Sequence, residues 1–164
     1  SIADQLIDSY LVIQKGLASD GLVTAKKGAE QFILAVENTS ENLEREWKLS
    51  KLGTSARVIS ATSKIETARI AFLELSQGMI SLLEEMGATL ETPLYIAYCP
   101  MAFDNKGGSW LQSDKTLANP YYGPMMLRCG RIQKQITKSH SNHTDSFHDH
   151  DRKIDNDGEH EGHG

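Results

Sequence analysis

Five soft sulfur donors fall within 31 positions of a 164-residue chain. Cys99 and Met101 lie in AYCPMAF (97–103), and Met125, Met126 and Cys129 lie in MMLRCG (125–130). Thiolate and thioether sulfur select soft ions, notably Cu(I), over Zn(II) or Mg(II), and a thioether is of little use to a zinc site. Pro100 fixes one backbone angle between Cys99 and Met101. Met126 and Cys129 are three apart, which places both on one side of a helical turn. Sulfurs from the two ends of the intervening loop would then make a three- or four-coordinate site. Two other uses of these residues stay open. A Cys99–Cys129 disulfide would stabilise the fold by about 3–4 kcal/mol for a loop of this length. Buried Cys and Met also serve as plain packing. There is no Cys-x-x-Cys pair to favour metal outright.

The second constellation is at the C-terminus. All six histidines, His140, His143, His148, His150, His160 and His163, stand in the last 25 residues, spaced among carboxylates. A tract of this composition binds Zn(II), Cu(II) or Ni(II) loosely and without fixed geometry. The bland alternative is a merely soluble acidic tail. The body of the chain has no histidine, which removes the usual general base. A glycine-rich phosphate loop and a paired-carboxylate signature are also missing, so the expectation is that this is not an enzyme. A lone redox thiol stays open, but Cys99 has no resolving partner close by in sequence.

The net charge of −5 is concentrated in the tail: residues 138–164 hold three Lys/Arg and seven Asp/Glu, leaving fourteen and fifteen for the rest. A near-neutral body with an acidic tail does not suit a phosphate backbone, so no nucleic-acid partner is expected. No apolar run reaches the roughly 18 residues of a membrane span, and no signal peptide is visible. A start at Ser1 without Met reads as a processed protein or an excised domain.

The elements that must position the sulfurs are mostly helical. Ile2, Leu6, Tyr10, Ile13 and Leu17 recur at a helical period, then SDG (19–21) breaks the chain and caps the next helix. Leu22, Ala25, Ala29, Phe32, Ile33 and Val36 make a second stripe. ENTSEN (37–42) is a polar break with Thr39 and Ser40 as N-cap candidates. A third helix carries Leu43 and Trp47, weakens near Gly53 and continues over 54–61 after a kink. Ser63 and Glu66 fit a capping box ahead of the longest stripe, Ile65, Ala68, Phe72, Leu75, Met79, Leu82 and Met86. Met79 and Met86 read as core, and Glu66 and Arg69 as solvated or paired side chains without a chemical role. The expected fold is all-α: an antiparallel four-helix bundle over 1–90, an ordered Cys/Met loop region over 91–137 packed on it, and a disordered tail over 138–164.

Within the loop region, TPLYIAYCP (92–100) reads as extended. DNKGGSW (104–110) is turn-rich, and NPYYGP (119–124) cannot be regular helix. MMLRCGRI (125–132) is one helical turn or a short strand. Trp110, Leu111, Tyr121 and Tyr122 need a surface to cover, and the bundle supplies it.

Residues 98–130 resemble the signature of a small helical domain of undefined biochemical role. That domain is appended to periplasmic adaptor (membrane fusion) subunits of copper/silver efflux systems in Gram-negative bacteria, and also occurs alone. The pattern is Cys99-Pro100-Met101-Ala102, Gly108, Trp110-Leu111, Asn119-Pro120-Tyr121-Tyr122-Gly123, Met126 and Cys129-Gly130, with SYLVIQKGLASD (9–20) and ARIAFLELS (68–76) in the helices. The likeness extends over about residues 2–132. It implies a periplasmic location and a link to heavy-metal efflux, and so favours the first expectation: capture of copper(I) or silver(I) at the sulfur loop, with efflux adaptor or pump components as partners. A structural interaction module holding a Cys99–Cys129 disulfide is the alternative, because the periplasm is oxidising.

Overall fold

The computed structural model describes residues 2–39, 43–86, 90 and 93–136. Four helices follow one another: α1 (Ile2–Ala18), α2 (Leu22–Glu37), α3 (Leu43–Ala61) and α4 (Ile65–Met86). Each packs chiefly on the next in sequence. Most of the expected stripes form the core: Leu6, Tyr10, Ile13 and Leu17 of α1, Ala25, Ala29 and Phe32 of α2, and Ala68, Phe72, Leu75, Met79 and Leu82 of α4 are buried, whereas Leu22, Ile33, Val36, Ile65 and Met86 are half-buried at its margin and Ile2 is exposed.

The third helix departs from its expected pattern. It runs unbroken past Gly53, and its described buried residues are Leu49, Leu52, Gly53, Ser55, Ala56 and Ile59. Trp47 is not on that stripe; it is 62% exposed, with the Lys48 ammonium 5.6 Å from its ring centroid. The caps also shift. The Thr39 hydroxyl donates back to the Ala35 carbonyl and so closes α2 instead of opening α3; Ser40 lies outside the described residues. Before α4, the side chain that accepts the Lys64 N–H is Thr62, at 3.1 Å, one residue ahead of the expected box.

An all-α fold is not what the chain adopts. After the bundle come three strands, β1 (Leu94–Cys99), β2 (Gly108–Gln112) and β3 (Arg131–Ile136). They form one antiparallel sheet in the order β2-β1-β3. The extended reading of 92–100 is therefore right as far as it goes. What it lacked is two partners: Tyr98 faces Ser109 on one side and Arg131 on the other. With a neighbour on each side, β1 has five of its six residues buried, where β3 has none. The chain is thus mostly helical with a small sheet.

The β2 edge lies against the bundle, mainly on α4 and also on α1. There the Leu111 N–H donates to the Tyr10 hydroxyl at 2.9 Å, and that hydroxyl also shares a 2.7 Å hydrogen bond with Ser76 Oγ. A helix side chain thereby satisfies a strand edge that would otherwise be a bare row of donors and acceptors. Tyr10 stacks on Phe72, and Tyr121 packs its ring against Phe72, Phe103 and, edge-on, Trp110. The aromatic residues of the second half do cover the bundle.

Candidate metal centre

β1 ends at Cys99, and β3 begins two residues after Cys129. The last paired residues of that ladder are Tyr98 and Arg131, so both cysteines sit just at its end. Their sulfurs are 3.2 Å apart, and neither is in a disulfide. Cys99 is fully buried, while Cys129 is half-buried.

Local sequence explains the approach. Gly130 has φ 121°, a conformation L side chains rarely adopt. A Cβ there would lie 2.5 Å from the Tyr98 carbonyl oxygen. The chain can therefore fold back tightly over β1 and aim Cys129 at Cys99. Cys129 is fixed further by its N–H to the Met126 carbonyl at 3.1 Å. Its own carbonyl accepts from Asn119 Nδ2 at 2.9 Å.

Asn119, fully buried, organises the Asn-Pro-Tyr-Tyr-Gly segment. Its Oδ1 accepts the N–H groups of Tyr121 and Tyr122, and its carbonyl accepts that of Gly123. That is an Asx turn, which asparagine forms more readily than most residues. The segment leads into a short 3-10 turn, Gly123–Met126. The expected alternatives for 125–132 are both present in part, since the turn takes the methionines and β3 takes Arg131 and Ile132.

The Cys99 end is shaped by an unusual backbone. Met101 leads into a four-residue helical turn, Ala102–Asn105. Phe103, Asp104 and Asn105 there have φ of 52°, 55° and 65°. Successive left-handed residues other than glycine cost of order 1 kcal/mol each and gather at functional sites more than elsewhere. The Met101 carbonyl accepts the Tyr122 hydroxyl at 2.5 Å, so one phenol ties the Cys-Pro-Met end to the Asn-Pro-Tyr end.

The three methionines stand differently. Met101 is 45% exposed and Met126 half-buried. Met125 is 85% exposed and lines a shallow pocket with Asp20, Ser63, Glu66, Arg69 and Tyr122. Of the five predicted sulfur donors, the two thiols are in contact. Among the described residues no cluster of three or more His, Cys, Asp or Glu side chains supports a metal site. Among the described residues, the further sulfur donors on the two chain segments that carry the thiols are the thioethers of Met101, Met125 and Met126. The six tail histidines lie outside the described residues.

The electrostatics follow from the contact. The Cys129 thiol is pushed up from its usual value, first by its hydrogen bond with Cys99, then by burial and by the Cys99 charge. The Tyr122 phenol is also raised, by desolvation and then by repulsion from Cys99, Cys129 and Asp104. A charge on Cys99 would disfavour a second one on Cys129 at this separation.

Fit to a metal can be tested on the sulfur separation. Two metal–sulfur bonds near 2.3 Å at a tetrahedral angle span about 3.7 Å, and a linear pair spans about 4.6 Å. The observed 3.2 Å is shorter than either and longer than the roughly 2.05 Å of a disulfide. The pair suits a bent soft-metal site after opening by about half an ångström, within side-chain rotation.

Sequence reasoning gave no part in positioning the sulfurs to several residues that build this site: Asn119, Tyr122, Gly130 and, farther away, Arg69. Arg69 has 13% of its side chain exposed. Its Nε donates to the Pro120 carbonyl at 2.9 Å, and its Nη2 donates to the Leu17 carbonyl and to Asp20 Oδ1. It is paired, as expected, but the pairing fastens the Asn-Pro-Tyr segment to the α1–α2 turn. The available signal was the Asn-Pro-Tyr-x-Gly spacing itself, which demands a partner for its turn carbonyls.

No helix among the described residues is long and apolar enough to cross a membrane. No curated protein and no solved structure matches the chain. One family model matches residues 6–91, a little over half of the sequence. It covers α1 from Leu6 onward and all of α2, α3 and α4, and ends before the Cys-Pro-Met and Asn-Pro-Tyr blocks. By that match the chain belongs to the family described as protein of unknown function DUF3347.

Proposed function

We propose that this chain is a heavy-metal-binding accessory domain of a periplasmic metal efflux or resistance system. Cys99 and Cys129 take Cu(I) or Ag(I) as cargo, with Met101 or Met126 as the candidate additional donor. The observation that carries this is the pair of free sulfurs in contact beside a loop that carries thioethers. The likeness of residues 98–130 to a domain of copper/silver efflux adaptors supports the location and the partners, which would be adaptor or pump components receiving the ion. The histidine tail would raise the local concentration of Zn(II), Cu(II) or Ni(II). No catalytic role is proposed.

A tail-deleted reduced protein (residues 1–137) titrated with Ag(I) against a chromophoric competitor tests it. One ion per chain is expected, with loss of binding in Cys99→Ser and weakening in Met101→Leu. Absence of stoichiometric binding by the reduced protein overturns the reading. Binding must displace thiol protons, and the Cys129 thiol holds its proton more tightly than a free one. Affinity should therefore fall as pH is lowered.

The second reading is a structural interaction module with a Cys99–Cys129 disulfide. It draws on the same contact, and a bond that persists through purification and resists mild reduction would favour it.

A further inference from the structure

The two cysteines differ in access as well as in position. Cys99 is fully buried at the end of the central strand, where it pairs with Gly108. Cys129 is half-buried, outside the ladder, on a backbone held by Asn119 and Met126. A thiol that cannot be reached cannot begin an exchange, but it can finish one if its partner sits within contact distance. The sequence offers no neighbouring cysteine as a resolving partner for either; the fold supplies one at 3.2 Å.

We infer that Cys129 and Cys99 form a dithiol–disulfide exchange pair, with Cys129 attacking, Cys99 resolving, and oxidation withdrawing both sulfurs from the metal ion. The oxidant is a low-molecular-weight or protein disulfide. The Cys129 thiolate attacks one sulfur of that disulfide, a Cys129–sulfur bond forms, and the first thiolate leaves. The Cys99 thiolate then attacks Cys129 Sγ, the mixed disulfide breaks, and the second thiolate leaves. The two protons lost by the protein thiols go to the two leaving thiolates. The protein loses two electrons, and the incoming disulfide is reduced to two thiols. Closing the bond requires the sulfurs to approach by about 1 Å. Rotation about the Cys129 side chain can supply this without unseating its backbone bonds.

The metal half of this inference rests on the function proposed above, whereas the exchange half does not, so the two are tested in separate arms. In the first arm, the reduced full chain is mixed with glutathione disulfide in the presence of chelator, and quenched samples are read by mass spectrometry. The unmodified chain should end as an internal disulfide, lighter by two hydrogens. Cys99→Ser should stop at a persistent glutathione adduct on Cys129. Cys129→Ser should react at least about tenfold more slowly, because only the buried thiol remains. Equal rates for the two variants, or a stable adduct on the unmodified chain, would overturn the assignment. Should Cys99→Ser or Cys99→Ala fail to fold, limiting iodoacetamide on the unmodified reduced chain still decides the roles. Cys129 must be labelled before Cys99, and the reverse order refutes them. In the second arm, one equivalent of Ag(I) should slow internal disulfide formation by about tenfold or more, since it occupies the thiolate. Ordered exchange without that protection would uphold the exchange pair and sink the competition with metal.

Discussion

The bundle and the sheet region are built on opposite principles. Residues 2–86 are held by apolar stripes repeated along four helices, and the deepest contacts are Leu, Ile, Ala, Phe and Met side chains. Residues 94–136 have their own apolar anchors in Trp110, Leu111 and Tyr121. Their shape, however, is set by side chains bonded to main-chain groups. Gln112 Nε2 donates to the carbonyls of Asp114 and Thr116, and its Oε1 accepts the Ala118 N–H. Asn119, Tyr121, Tyr122 and Arg128 likewise bond to main-chain groups. Apolar burial is non-directional and tolerates repacking. A hydrogen bond fixes distance and direction. The half in which two sulfurs are in contact is the half made with directional bonds.

That contrast predicts different consequences for substitutions of equal cost. Phe32→Ala in α2 and Trp110→Ala in β2 each empty a fully buried site, and each should lose about 3–5 kcal/mol in denaturant melts. Only Trp110→Ala should also change thiol chemistry, because the indole sits against the Gly130 turn, 3.3 Å from where a Cβ would stand. Cys99 should then become as accessible to alkylation as Cys129. If Phe32→Ala exposes Cys99 to the same degree at matched native population, the two halves do not behave independently.

The Gly130→Ala substitution isolates the turn. It forces a side chain into a left-handed position and towards the Tyr98 carbonyl, at a cost of roughly 1–3 kcal/mol. The sulfur contact should open, and the expected readout is a fall in Ag(I) affinity with the helical circular dichroism signal unchanged.

The seam between the halves is a buried polar cluster, and it makes a pH prediction. Burial raises the Tyr10 and Tyr121 phenols well above their ordinary value of 10.0. Both groups keep their protons in the folded state at a pH where the unfolded chain has lost them. Their contribution to stability is therefore complete below about pH 10 and is lost as pH rises beyond it. Alkaline unfolding should coincide with the appearance of tyrosinate absorbance from these two rings. Tyr10→Phe, which strands the Leu111 N–H and the Ser76 hydroxyl, should lower stability by about 1–3 kcal/mol at neutral pH. Tyrosinate absorbance assigned to Tyr10 or Tyr121 by Tyr→Phe difference spectra well below the unfolding transition would break the link.

The difference between the halves also decides how much was legible in the sequence. A helix stripe repeats every three to four residues, so α1, α2 and α4 announce themselves through Leu6, Phe32 and Leu75. The third helix was only partly legible because its buried face includes Ser55 and Ala56, and its most conspicuous residue, Trp47, is exposed. The sheet was mostly hidden. β3 offers only Ile132 and Ile136, four apart and half-buried, as an edge strand with one neighbour, which is no strand alternation at all. β2 begins inside a glycine-rich stretch that reads as a turn. The pairing of Cys99 with Cys129 was open in the sequence as one of several possibilities. Their unequal access was not, because it depends on which strand is central.

The smallest expected effect sharpens the comparison most. Tyr122→Phe removes one exposed hydrogen bond, to the Met101 carbonyl, and should cost no more than about 1 kcal/mol of stability. If the loop is only a cover for the bundle, nothing else should change. If its directional bonds set the sulfur geometry, Met101 loses its tether to the Cys129 side. Ag(I) affinity should then drop several-fold while the order of thiol labelling stays as in the unmodified chain. A several-fold loss of affinity at nearly unchanged stability would separate Met101 positioning from folding. An unchanged affinity would remove Met101 from the ligand set and leave Met126 as the candidate donor beside the two cysteines.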